Sequence, residues 1–155
     1  IQFDKIYAII HRESIVHSIV NFIDGSSKAQ LGHPDMKIPI QYAISYPERE
    51  RFSSQDIIKL LNEKQLSFEP IDHEKFPIYQ LVIDAAKRSD GTLPALLGAD
   101  EILVNAFLDG KCEFGKIYKV QNKIYSEWEP SDQLQIDNVL NAYQWGENFA
   151  KNCLG

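Results

Sequence analysis

The segment of residues 32–40 constrains the fold most tightly, because it separates two kinds of hydrophobic pattern. Short apolar runs rich in β-branched residues come before it, and apolar residues at helical spacing come after it. Gly32 and Pro34 end an extended strand, since proline cannot donate a ladder hydrogen bond. Asp35 can then cap a helix, and Pro39 is tolerated only near the first turn of that helix. The segment therefore predicts a switch from sheet to helix, with the helix running to about Tyr46.

The residues before this switch predict three strands. Residues 6–10 form a continuous apolar run that is typical of a buried strand. Residues 15–23 alternate between two faces, and residues 28–31 form the returning strand. Asp24 and Gly25 between them predict a two-residue hairpin turn, because both can adopt positive φ. We therefore expect a strand followed by a β-hairpin.

The residues after the switch predict mainly helices. Residues 57–61 indicate a short amphipathic helix or an irregular apolar segment, and residues 66–70 are expected to be extended. Four helices follow from Phe76 onward. The first begins near Pro77, Thr92 is expected to cap the second, the third ends before Pro130, and Ser131 or Asp132 caps the fourth. In the second, the apolar stripe comprises Leu96, Leu97, Leu103, Val104, Phe107 and Leu108.

Short links between these helices favour an antiparallel four-helix bundle. The predicted fold class is α+β: a small strand and hairpin segment from a larger catalytic domain, followed by the bundle. We expect residues 1–52 to be the end of that catalytic domain, 53–75 a linker and 76–155 the helical bundle. The chain begins at Ile1 and reaches an apolar run almost at once. We therefore expect a fragment of a longer protein.

Composition excludes several classes of function. The 155 residues carry a formal net charge of −6, which argues against nonspecific nucleic-acid binding. No apolar run approaches the roughly 20 residues that span a bilayer, so no membrane association is expected. Cys112 and Cys153 are too few for a disulfide framework.

Three groups of polar residues are candidates for chemistry, and each has a structural explanation. His11 and His17 could form a ligand pair on one strand face, but no third ligand accompanies them, and His17 could equally pack between Ile15 and Ile19. Asp72, His73 and Glu74 resemble a metal motif, yet acids before a helix are better explained by capping. Asp100 and Glu101 indicate a solvated face or a hydrogen bond between helices. No phosphate-binding glycine loop occurs, so the sequence predicts no metal site and no catalytic residue within this chain.

Several motifs together resemble one enzyme family. They read IIHRESIVHSIV at residues 9–20, FIDGS at 22–26, AQLGHPDMKIPI at 29–40, LSFEP at 66–70, and ADE at 99–101 followed by AFL at 106–108. This pattern is similar to the C-terminal part of 1-deoxy-D-xylulose 5-phosphate reductoisomerase, an enzyme of the non-mevalonate isoprenoid pathway. The resemblance covers roughly residues 6–115 and fades after Phe114.

The resemblance implies an NADPH-dependent oxidoreductase and isomerase. In this family, Mg²⁺ or Mn²⁺ chelates the oxygens of the sugar phosphate substrate, and the product is 2-C-methyl-D-erythritol 4-phosphate. The family's metal ligands, phosphate site and NADPH motif are expected upstream, in the rest of the same polypeptide. The full-length protein is expected to be a homodimer in a bacterial cytoplasm or a plastid-type organelle.

Four residues correspond to the family's pocket wall. Ser14 and His17 match a serine and a histidine near the substrate, and Pro34 and Met36 match residues that line the pocket near the nicotinamide. None of the four is expected to make or break bonds, and this chain alone is expected to be inactive. The alternative is a diverged or truncated relative that acts as an interaction module through an exposed strand edge.

Two departures from the family pattern stand out. The family usually reads His-Pro-Gln-Ser where this chain has His11-Arg12-Glu13-Ser14, which is expected to loosen the turn and add a charge pair. The second is Gly98, which stands inside a predicted helix where glycine costs about 1 kcal/mol relative to alanine.

Overall fold

A computed structural model of the chain describes residues 2–51, 65–130 and 135–155. The chain divides into two compact units. One contains residues 8–71, and the other contains the residues up to Tyr7 together with Asp72–Gly155. The element predicted at 57–61 and the helix cap predicted at Ser131 or Asp132 lie outside the described residues. Within the described residues, no helix combines the length and hydropathy needed to cross a bilayer.

The first unit contains the predicted hairpin. Strand β1 (Val16–Asn21) pairs antiparallel with β2 (Ser27–Leu31). The register shifts between Val16 and Ser18, so His17 is an extra residue opposite the β2 ladder. Such a β-bulge bends the strand and redirects its side chains, so the regular face alternation predicted for residues 15–23 is wrong at His17.

The hairpin loop is longer than predicted. The Phe22 N–H donates to the Ser26 carbonyl at 2.9 Å, and the Gly25 N–H donates to the Phe22 carbonyl at 3.1 Å. Only Gly25 has positive φ, at 85°, while Asp24 accepts hydrogen bonds from the Ser26 N–H and hydroxyl. A three-residue loop with glycine in the left-handed conformation is the next most common hairpin connection. The loop therefore lies where the sequence predicts it, but it has three residues and not two.

The strand predicted at residues 6–10 does not form. Within the described part of the chain, Ile10 makes a single bridge to Glu69, with both backbone hydrogen bonds at 2.9 Å. Phe3–Lys5 forms one 3-10 turn instead, and Tyr7 is 81% exposed. A strand requires a partner ladder along its length, and an apolar run supplies the propensity without the partner.

Helix α1 (Lys37–Ser45) confirms the predicted switch. Asp35 Oδ1 accepts a hydrogen bond from the Lys37 N–H at 2.9 Å, which satisfies one of the unpaired donors at the helix start. Pro39 is the third helical residue, where its missing N–H breaks no helical bond. The helix ends one residue before Tyr46, and Tyr46 precedes Pro47.

The second unit is a bundle of helices. The four helices are α2 (Pro77–Arg88), α3 (Thr92–Leu108), α4 (Phe114–Glu127) and α5 (Ile136–Leu154). Helix α3 contacts each of the other three. The core includes Leu81, Ala85, Leu96, Leu103, Ile117, Val120, Ile124 and Ala150. A hairpin joined in sequence to helices confirms the α+β fold class, although Leu97, Phe107 and Leu108 of the predicted stripe are exposed.

Two glycines allow α3 and α5 to approach closely. A Cβ added at Gly98 would clash with the Tyr143 carbonyl oxygen and lie 2.9 Å from the carbonyl carbon. A Cβ added at Gly146 would clash with the Ala95 carbonyl oxygen and lie 2.7 Å from its carbon. Gly98, which lowers helix propensity, is therefore required by the packing of the two backbones.

The link between α2 and α3 is fixed by Asp90. Its carboxylate accepts hydrogen bonds from the Thr92 N–H and hydroxyl, and Arg88 Nε donates to it at 2.9 Å. Thr92 is fully buried as the first residue of α3, so the prediction that it caps the helix is wrong. Burial raises the pKa of Asp90, but the Thr92 hydrogen bonds and Arg88 outweigh it and hold that pKa below its ordinary value.

We expect Asp90→Asn to reduce the acid sensitivity of the helical unit. A carboxyl whose pKa is lowered in the folded state stabilises the fold above its unfolded pKa, and that stability is lost as pH falls through the folded pKa. The wild type should therefore lose stability below about pH 4, the unfolded range of aspartate, and Asp90→Asn should lose less. Thermal unfolding between neutral and acid pH measures this. Asp109→Asn, which removes an exposed ion pair with Lys111, is the control, and an equal effect there would contradict the prediction.

Candidate functional site

The four residues predicted to line a pocket lie in the hairpin unit. Ser14 lies two residues before the start of β1, and Pro34 lies three residues after the end of β2. Both therefore lie at the open end of the hairpin, opposite its turn. His17 lies in β1 at the same end, and Met36 immediately precedes α1. All four are exposed, Met36 to 71%.

His17 connects the two halves of this surface. Its Nε2 lies 3.2 Å from the His33 carbonyl oxygen, and a Cβ added at Gly32 would lie 3.5 Å from the same nitrogen. The Gly32 N–H also donates to the Ile15 carbonyl at 3.0 Å. His17 is exposed, so the alternative of a histidine packed between Ile15 and Ile19 is wrong. The bulge at His17 turns the ring toward the segment that follows β2.

Ser14 has an unusual backbone conformation. Its φ is 53°, in the left-handed region that side-chain-bearing residues rarely adopt. Its N–H donates to the His11 carbonyl at 3.2 Å, which closes a tight turn. Ser14 is exposed, and within the described residues its hydroxyl has no hydrogen-bond partner. A conformation of this kind persists only where surrounding contacts hold it.

The residues before Ser14 contact a segment that is distant in the sequence. Arg12 Nε and Nη2 donate to the two carboxylate oxygens of Glu69 at 2.7 and 3.0 Å. A planar two-bond geometry of this kind fixes orientation as well as distance. The Ile10–Glu69 bridge lies directly beside it. We name residues 11–13 and 67–69 together the clasp.

His11, Glu13 and Ser67 of the clasp are partly buried. Glu13 Oε1 accepts hydrogen bonds from the Ser67 hydroxyl at 2.7 Å and from its N–H at 3.1 Å. His11 Nδ1 lies 2.7 Å from the Ser67 carbonyl oxygen and 2.9 Å from Glu13 Oε2. The His11 ring stacks on Phe68 with centroids 4.8 Å apart. Arg12 and Glu13 thus have partners in a distant segment, where the sequence predicted a loosened turn and an added charge pair.

Hydrogen bonds keep Glu13 ionised. The Ser67 hydroxyl is the main cause of a lowered pKa at Glu13, with backbone N–H groups adding to it and desolvation opposing it. An ionised carboxylate accepts stronger hydrogen bonds than a neutral one. Sequence reasoning did not identify the clasp, although a signal was present: Arg12 and Glu13 replace uncharged family residues, and Glu69 is an acid in a segment expected to be extended.

The described residues do not fit a metal centre. They contain no cluster of three or more histidine, cysteine, aspartate or glutamate side chains that could hold an ion. Asp72 Oδ1 instead accepts the N–H groups of Glu74 and Lys75, at 3.0 and 3.1 Å, in a turn just before α2. Helix α2 itself has Phe76 at its N-cap, no capping bond from a side chain and no acid in its first turn, so the prediction that these acids cap the helix is wrong.

Asp100 and Glu101 serve contacts between helices. The Tyr143 hydroxyl of α5 donates to Glu101 Oε2 at 2.8 Å, and Gln121 Nε2 of α4 lies 3.4 Å from Asp100 Oδ1. Of the two interpretations left open by the sequence, the hydrogen bond between helices is confirmed for Glu101, and the longer Asp100 contact agrees with it.

Comparison with known proteins identifies relatives along almost the whole chain. Residues 31–149 match the family model described as the DXP reductoisomerase C-terminal domain. The 1-deoxy-D-xylulose 5-phosphate reductoisomerase 1 of Bacillus thuringiensis subsp. konkukian is 43% identical over 99% of this chain. The reductoisomerase of Listeria welshimeri serovar 6b is 37% identical over the same share. In both cases the alignment covers 40% of the relative's length.

Solved structures agree with these sequence relatives. The Zymomonas mobilis reductoisomerase in complex with NADPH aligns with a TM-score of 0.88 and 29% identity, over 99% of this chain and 40% of that one. A reductoisomerase complex with NADPH, fosmidomycin and magnesium aligns with a TM-score of 0.82 and 33% identity, over 94% of this chain and 38% of that one.

These matches extend beyond the sequence motifs. The resemblance was expected to fade after Phe114, yet the family model continues through α4 and into α5. The predicted resemblance is confirmed, and the chain belongs to the 1-deoxy-D-xylulose 5-phosphate reductoisomerase family, spanning about two fifths of the length of the relatives it matches.

Proposed function

We propose that this chain supplies one wall of the active-site pocket and the C-terminal helical domain of an NADPH-dependent reductoisomerase. The reaction is the conversion of 1-deoxy-D-xylulose 5-phosphate to 2-C-methyl-D-erythritol 4-phosphate. The proposal covers the full-length protein, because the chain spans only about 40% of its relatives. Relatives with this enzyme's name align along 99% of the chain, which is the main support.

One structural observation carries the assignment of the pocket wall. The contact between His17 Nε2 and the His33 carbonyl oxygen joins β1 to the segment after β2. Ser14 and His17 lie at the start of the β1 side, and Pro34 and Met36 lie between β2 and α1, so this contact supports assigning all four to one pocket wall. Hydroxyl and imidazole groups can orient a polar sugar phosphate by hydrogen bonds. The soft thioether of Met36 can pack against a flat nicotinamide.

The metal and the dinucleotide belong to other parts of the proposed enzyme. The described residues offer no cluster of metal ligands, and the sequence has no glycine-rich phosphate loop. A divalent ion, Mg²⁺ or Mn²⁺, supplies Lewis acidity in such a reaction when bound. Ser14, His17, Pro34 and Met36 would orient the substrate and the nicotinamide and exclude water. The proposal also includes a homodimer and a location in a bacterial cytoplasm or a plastid-type organelle.

The test measures turnover by two forms of the protein. The gene product that carries this chain at full length should oxidise NADPH when given 1-deoxy-D-xylulose 5-phosphate and Mg²⁺ or Mn²⁺. The 155-residue chain alone should show no turnover at equal concentration, because pocket residues without metal ligands cannot polarise the substrate. NADPH absorbance measures both, and mass spectrometry identifies the product.

Two outcomes would contradict the proposal. An inactive full-length protein that is folded and binds NADPH would refute the assigned reaction. Turnover by the 155-residue chain alone would refute the assignment of the metal and dinucleotide sites to other parts of the enzyme. The alternative of an interaction module without catalysis is not favoured, since the relatives described above are named as the enzyme.

A further inference from the structure

We propose that the clasp is a positioning device for Ser14 and thereby sets the affinity for the sugar phosphate substrate. The inference rests on the proposed function, because it assigns Ser14 to the substrate side of the pocket. Arg12 and Glu69 are the positioning residues at its exposed end, and Glu13 and Ser67 are those at its partly buried end.

The first step of the argument is the strain at Ser14. A serine at φ 53° costs free energy, so an isolated turn would relax to another conformation. The turn is closed by the bond from the Ser14 N–H to the His11 carbonyl. His11, Arg12 and Glu13 each contact the 67–69 segment. The three residues before Ser14 are therefore all held from outside the turn.

The second step is that the clasp contacts only the Ser14 side of the pocket wall, while the nicotinamide side has supports of its own. Ser14 follows the clasp directly. Pro34 and Met36 follow β2 and are held by the Asp35 bond to the Lys37 N–H and by the His33 contact with His17. Loss of the clasp should therefore displace Ser14 and leave the nicotinamide side in place.

The third step separates positioning from stability. The Arg12 and Glu69 side chains are 68% and 45% exposed, and exposed ion pairs contribute little to folding. A change at this pair should thus alter the geometry of the turn without unfolding the protein. General destabilisation of the protein would then not explain a selective change in substrate affinity.

The experiment uses charge reversal in the full-length gene product. The single variants Arg12→Glu and Glu69→Arg should each raise KM for 1-deoxy-D-xylulose 5-phosphate about tenfold, since small displacements of positioning groups have effects of this order. KM for NADPH and the melting temperature should stay near the wild-type values. The double variant restores an ion pair with the two charges exchanged, and it should recover most of the lost affinity.

Two further variants sharpen the result. Ser67→Ala removes the hydroxyl that donates a hydrogen bond to Glu13, and it should also raise the substrate KM. Lys111→Ala breaks an exposed ion pair with Asp109 in the helical unit and should change neither KM.

The outcomes distinguish this inference from the proposed function. If the wild type is active and both single variants keep its KM for 1-deoxy-D-xylulose 5-phosphate, the inference about the clasp is wrong and the proposed function stands. Equal rises in both KM values, or a double variant as impaired as the singles, would also overturn the inference about the clasp. A folded wild type with no turnover would overturn the proposed function and the clasp with it.

Discussion

Replacing Gly146 with alanine is expected to lower the free energy of unfolding of the helical unit by about 3 kcal/mol, at the upper end of the usual cost of overpacking. A Cβ at this position would clash with the Ala95 carbonyl oxygen and lie 3.0 Å from the Ala95 Cα. These are backbone atoms, which cannot rotate away as a flexible side chain would. Helices α3 and α5 would have to separate, and the buried contacts between them would weaken.

Gly115→Ala is the control, and its expected effect on the free energy of unfolding has the opposite sign. Gly115 lies in the first turn of α4, and a Cβ added there meets no atom within 4 Å. Gly115→Ala should therefore stabilise the protein by about 0.5 kcal/mol through helix propensity alone. Urea unfolding followed by circular dichroism compares the two variants, and hydrogen exchange localises the loss to α3 and α5. A Gly146→Ala variant as stable as the wild type would refute the close approach of the helices.

Leu103→Ala is expected to cost about 3 kcal/mol by leaving a cavity in the bundle core, as leucine truncations in other cores do. Leu103 is 0% exposed and is among the largest fully buried side chains of the described residues. It lies in α3, which contacts the other three helices. The surrounding side chains come from several elements and cannot all move inward to fill the space.

Leu108→Ala is the matched control for this prediction. It removes the same atoms from the same helix, but Leu108 is the last residue of α3 and is 73% exposed. Its cost should stay within about 0.5 kcal/mol, as for ordinary surface substitutions. Urea midpoints of the two variants measure the difference. Similar costs at both positions would show that burial along α3 is assigned wrongly.

Local chemistry made several elements predictable. Asp35 and the prolines around it define the start and end of α1 within a residue or so, because capping and the missing proline N–H act over a few residues. Glycine and aspartate located the hairpin loop for the same reason. Its length was wrong because an Asp-Gly pair is compatible with more than one loop, and the pairing of the strands selects among them.

The candidate site was predictable in part. The resemblance named Ser14, His17, Pro34 and Met36, and these remain proposed pocket residues. It did not reveal the clasp, because Arg12 and Glu69 lie 57 positions apart in the sequence. Their pairing depends on the Ile10–Glu69 bridge, which is a contact between distant segments.

The sequence by itself determined the class of fold, the order of hairpin and helices, and the family, since these follow from periodicity and from motifs read locally. Only the tertiary structure decided that residues 6–10 form no strand, that His17 is a bulge directed at His33, and that Gly98 is required where propensity disfavours it. Each depends on which distant backbone lies opposite: a ladder partner for residues 6–10, β2 for His17, and α5 for Gly98. Periodicity along one segment carries no information about that partner.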